Sequence, residues 1–91
     1  MDLEHLKALL DLAGTDEEES WKVLKDDRTV TFHVSNQGVA LNVSKIRRVR
    51  VQTGLLFAEN QNGDGYVLKL SDVFAGSVDP ANKGSRKAGF R

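Results

Sequence analysis

Val30-Thr31-Phe32-His33-Val34 runs into Ser35-Asn36-Gln37-Gly38 and then into Val39-Ala40-Leu41-Asn42-Val43. Val30, Phe32 and Val34 alternate with polar Thr31 and His33, while Val39, Leu41 and Val43 alternate with Ala40 and Asn42, the period of a strand with one buried face. Ser35 to Gly38 has the composition of a tight turn, so the two runs read as a hairpin. Everything else in the chain is placed relative to it.

Downstream, Lys45 to Gln52 sets Ile46 in one phase and Val49 and Val51 in the other, and a bulge near Arg47-Arg48 reconciles them. Gly54 precedes a further run, Leu55 to Ala58. Asn60 to Gly65 forms a turn, and Tyr66 to Leu70 gives a last strand. Loops this short allow only antiparallel connections. After Ser71 the pattern fades: Ser71 to Gly76 reads as one helical turn, with Phe74 closing the sheet, and residues 79–91 read as a disordered basic tail.

Upstream, Leu3, Leu6, Leu10 and Ala13 follow the spacing of one helical face and Leu9 widens it. Asp2 suits the N-cap and Gly14 the stop. Thr15 to Glu18 matches a capping box that could open a second helix carrying Trp21 and Leu24; the competing reading makes Trp21 to Lys25 a strand. The predicted fold is α+β. An N-terminal amphipathic helix accompanies a four- to five-stranded antiparallel meander or small barrel, in one domain over residues 1–78.

Composition narrows the function. Of 91 residues, 26 are Leu, Ile, Val or Phe, enough for a core, and at 10.0 kDa the expectation is one modest core without a deep cleft. No cysteine is present, which excludes disulfides, thiolate metal sites and thiol nucleophiles. The longest apolar run, Leu55 to Ala58, is far too short to span a bilayer, and the acidic start Met1-Asp2-Leu3-Glu4 is unlike a secretory signal. A cytoplasmic protein without membrane contact is the expectation.

The net charge of zero conceals a segregation. Residues 1–27 hold nine acids and three bases, a net of −6; residues 28–91 hold ten bases and four acids, a net of +6. Such asymmetry points to an anionic partner for the basic part, or to an acidic segment that covers it.

The candidate site is the run Lys45, Arg47, Arg48, Arg50, extended by Arg86 and Lys87, with Arg91, on the tail. A basic ribbon on an outward strand face neutralises phosphates; equally, it can be a solvated face that blocks edge pairing. Phe32 and Phe57 read as core, leaving Tyr66, Phe90 and Trp21 as the aromatics able to stack on bases.

Asn60-Gln61-Asn62-Gly63-Asp64-Gly65 resembles the front half of an EF-hand calcium loop. Position twelve is Ser71 and Asp64 is the one carboxylate at the ligand positions, so a hairpin turn is favoured and no metal is assigned. His5 and His33 lack any motif that supplies a partner, and no phosphate loop, nucleophile elbow or zinc-protease signature occurs. No enzymatic activity and no cofactor is expected. The sequence thus predicts a binding module that engages an anionic partner, nucleic acid being the commonest candidate. The alternative is a protein–protein adaptor, including a self-associating one, that uses the helix or a strand edge.

Overall fold

The computed structural model describes residues 1–80, which form one helix and a curled, seven-stranded antiparallel sheet. Helix α1 spans Leu3–Ala13. The Asp2 side chain accepts from the His5 amide, and Gly14, at φ 82°, donates its N–H to the Leu10 carbonyl, so both ends are capped as their residue types suggest. Leu6, Leu9, Leu10 and Ala13 are buried, whereas Leu3 and Leu12 are exposed.

The strands are β1 (Thr15–Glu18), β2 (Trp21–Leu24), β3 (Arg28–Asn36), β4 (Val39–Gln52), β5 (Leu55–Asn60), β6 (Gly65–Lys69) and β7 (Val73–Pro80). Seven strands stand where four or five were expected, for two local reasons. The capping-box segment Thr15 to Glu18 is not helical: it pairs with Trp21 to Leu24 through a two-residue turn, Glu19-Ser20. Both turn residues have positive φ, 52° and 69°, without a glycine to advertise it. Ser71 to Gly76 is no helical turn either. A single 3₁₀ turn, Leu70–Asp72, leads into β7, which pairs with β3 as far as Pro80 and so takes in Asp79 and Pro80. The rest of the basic tail lies outside the described residues.

The curl is written into β4. Ile46 pairs with both Val30 and Asn60, so β3 and β5 flank opposite edges of β4. Val49 pairs with both Lys22 and Ala58, which puts β2 opposite β5 and end to end with β3 along one edge. The first half of β4 thereby belongs to a β4-β3-β7 layer and its second half to a β1-β2-β4-β5-β6 layer. Such corners need a bent strand.

Helix α1 covers the concave side, packing on β7 and β3. At the closest approach a Cβ on Gly76 would stand 2.4 Å from Leu9 Cδ2, so this strand position has no room for a side chain. Phe32, Ile46, Leu56, Val30, Val49 and Val73 are fully buried between the helix and the sheet.

Candidate functional site

Two bulges decide where the basic residues of β4 point. Val30 faces Ile46 and Phe32 faces Val43, so β4 carries one extra residue at Ser44-Lys45 against β3. Ile46 faces Asn60 and Arg48 faces Glu59, so it carries another at Arg47 against β5. The inward residues become Val43, Ile46 and Val49, three apart instead of two. A simple alternation would have put Lys45 and Arg47 on one face and Arg48 and Arg50 on the other.

Arg47, the extra residue of the second bulge, reaches the corner where β2 ends and β3 begins. Its Nη2 donates to the Leu24 carbonyl at 2.9 Å, and its Nη1 donates to the Lys25 carbonyl at 2.6 Å and to that of Arg28. Asp26 lies 3.7 Å away. One planar guanidinium thus serves three carbonyls of the corner, that of Lys25 accepting from the Arg28 amide as well. Lys45, at φ 60°, is exposed, and its carbonyl accepts from the Gln61 amide.

Arg48 and Arg50 lie on the convex face. Arg48 Nε donates to Glu59 Oε1 at 2.8 Å, and its guanidinium carbon sits 4.6 Å from the centre of the Trp21 ring. Arg50 lies between two rings, 5.1 Å from the centre of Trp21 and 4.7 Å from that of Phe57. Its Nε is buried and donates to nothing, and among the described residues Arg50 has no carboxylate partner. Stacking on aromatic faces holds a guanidinium while leaving its in-plane donors unused.

Phe57 is therefore not a core residue. Leu56 and Ala58, its neighbours, face inward, and Phe57 pairs across the sheet with Arg50 on one side and Val67 on the other. The run Leu55-Leu56-Phe57-Ala58 is apolar on both faces, so its phase could not be read from hydropathy. Trp21 pairs with Glu18. Glu18, Trp21, Arg50, Phe57 and Val67 form one row across five strands.

The acids of the N-terminal third are distributed locally. Asp16 pairs with Lys25 at 3.6 Å, Glu17 with Lys22 at 3.5 Å and Asp26 with Arg47. None of these reaches Arg50. The four basic residues of β4 are thus placed differently: Arg47 reaches the corner between β2 and β3, Arg48 donates to Glu59, Arg50 lies between two rings and Lys45 is exposed. Arg86 and Lys87 lie outside the described residues.

Other singled-out residues have local roles. Asn60 Oδ1 accepts the amides of Asn62 and Asp64, both at 2.9 Å, and the Asn60 amide donates to the Asp64 carbonyl, which closes the β5–β6 hairpin. His33 Nδ1 is 2.7 Å from Asn42 Oδ1, and the exposed Phe74 ring, set in a bulge of β7, lies 6.2 Å from the imidazole. A cleft of about 430 Å³ opens where α1 leaves the second half of β4 uncovered, between Leu3, Leu6 and Leu10 on one side and Val49 and Val51 on the other. This gap arises because α1 follows β3 and β7 instead of the middle of the sheet. Comparison with known proteins returns no matching family, no matching curated protein and no matching solved structure.

Proposed function

We propose that the chain is a non-enzymatic binding module that receives an anionic group of a partner on its convex sheet face, at Arg50. What supports this reading is one contrast. Arg47 donates to three carbonyls and Arg48 is paired with Glu59 through its Nε, whereas Arg50 is held between Trp21 and Phe57 with no acid beside it among the described residues. A guanidinium fixed in this way loses little freedom on binding and offers a planar, bidentate fork to a carboxylate or phosphate.

A carboxylate on a protein segment suits the face better than a nucleic acid strand. Glu18 stands in the same row two strands from Arg50, so a run of phosphates crossing the sheet from Arg50 meets a carboxylate roughly 10 Å away. The apolar row members Trp21, Phe57 and Val67 give a peptide surface to lie on.

Trp21 emission provides the readout. An acidic peptide with an aromatic residue is expected to shift it at low salt, and Arg50→Gln is expected to weaken that binding at least tenfold, as loss of a charge-assisted contact of about 1.5–3 kcal/mol implies. Tighter binding of an oligothymidylate than of the peptide would transfer the site to nucleic acid. Absence of any Trp21 response to either ligand would sink the proposal.

A further inference from the structure

The sheet's outer edges are not equally protected. Among the described residues β1, β6 and β7 each pair on one side only, and residues 39–43 of β4 pair with β3 alone, an edge that ends at the bulge of Ser44-Lys45. Edge β1 carries Asp16, Glu17 and Glu18, charges that repel a second acidic strand of the same kind. Edge β7 is interrupted by its bulge at Phe74 and ends on Asp79-Pro80, where proline has no N–H to offer. Edge β6, Gly65-Tyr66-Val67-Leu68-Lys69, has no proline, no bulge and one charge, at its end.

The hydrogen-bond phase of β6 follows from its two ends. The Asn60 amide donates to the Asp64 carbonyl, and the Leu70 amide donates to the Gly54 carbonyl. Bonded pairs recur at every second position of an antiparallel ladder. Tyr66 and Leu68 therefore bond inward to Ala58 and Leu56. Gly65, Val67 and Lys69 direct their amides and carbonyls outward, where β6 has no neighbour. Val67 is 60 % exposed.

We infer that β6 is a self-association edge, and that its occupant is the β6 strand of a second copy of this chain, antiparallel about a two-fold axis through Val67. This register satisfies the outward groups in matching pairs: Val67 faces Val67 of the second copy, and Gly65 faces Lys69 of the second copy. It is also complementary in charge. Asp64 precedes the strand and Lys69 ends it, so the two-fold brings each lysine to the end of the other strand where an aspartate stands. No like charges oppose one another. On the convex face, the two Val67 side chains meet, and on the concave face Tyr66 meets Leu68 of the second copy. The apolar row then runs on through both copies. It places two Arg50 sites on one continuous face, five strand spacings or at most roughly 24 Å apart.

The test uses sedimentation of the full chain. Val67→Lys and Val67→Glu each set two like charges on the axis. The wild-type chain is expected to dimerise with rising concentration, and each variant alone to associate at least tenfold more weakly. An equimolar mixture of the two variants is expected to recover the dimer as a lysine–glutamate heterodimer, a result that a merely misfolded variant could not produce. Val67→Pro supplies a second check, because it removes an outward amide and leaves the bonds to β5 intact. A wild-type chain that stays monomeric up to about 1 mM, or a Val67→Lys chain that dimerises as well as wild type, would overturn the inference.

Discussion

The Nη2 of Arg47 donates to the carbonyl oxygen of Leu24 across 2.9 Å, linking residues 23 positions apart at the corner between β2 and β3. The same guanidinium serves the carbonyls of Lys25 and Arg28, so one side chain joins the backbone bonds of Lys25 to Gly14 and of Arg28 to Lys25 in fixing the segment between the two layers. Arg47→Ala is expected to lower stability by about 1–3 kcal/mol, since it leaves the part-buried Leu24 carbonyl without its charged donor. Arg47→Lys should recover only part of this, because an ammonium lacks the planar fork. Urea denaturation midpoints of the three chains check the order.

Gly76 is a packing requirement and not a turn. Alanine there meets Leu9 Cδ2 at 2.4 Å. Gly76→Ala should cost about 1–3 kcal/mol through overpacking. Leu9→Ala alone should cost about 2–5 kcal/mol through the cavity it leaves. Made together the two changes should cost less than their sum, because the new methyl enters the space that the leucine vacates. A double-mutant cycle that returned strict additivity would contradict the contact.

Lys45 tests the first bulge of β4. Its φ of 60° is a left-handed conformation that a Cβ disfavours. Lys45→Gly should therefore be more stable than Lys45→Ala by about 1 kcal/mol, reversing the usual order of glycine and alanine in a strand. Thermal melts of the pair suffice, and alanine emerging as the more stable would argue for a regular strand through this position.

The leucines of α1 divide sharply. Leu6 is 3 % exposed and Leu12 is 74 % exposed. Leu6→Asp should unfold the domain, so it cannot serve as a probe of partner binding through the helix. Leu12→Asp should change stability by no more than about 0.5 kcal/mol, as exposed substitutions do. Circular dichroism distinguishes the two outcomes directly.

Much of the architecture was legible in particular residues. The helix followed from Asp2, the leucine spacing and Gly14; the central hairpin followed from the alternation on either side of Gln37-Gly38; the Arg47 bulge followed from the phase conflict between Ile46 and Val49. The Glu19-Ser20 hairpin was not legible, because its positive φ angles sit on residues that carry no turn signal and its strands are half acidic. Strand β7 was not legible because Ala75, Gly76 and Ser77 have no alternation of their own. Pairing with β3 and the weight of α1 make the segment a strand.

The candidate site divides in the same way. Residue type alone picked out Lys45, Arg47, Arg48 and Arg50 as the concentrated positive charge, and local periodicity determined the class of fold, since both depend only on neighbours along the chain. Which of those charges is free was decided by tertiary structure. Two bulges turned Arg47 into a corner clamp, Glu59 claimed Arg48, and Trp21 and Phe57 closed on Arg50 from strands on either side of β4. The −6 and +6 halves of the sequence likewise became neighbours at Asp26–Arg47. The reason is physical: a side chain's charge belongs to its sequence position, but its partners are set by strand register, and register is fixed only when the whole sheet closes over its core.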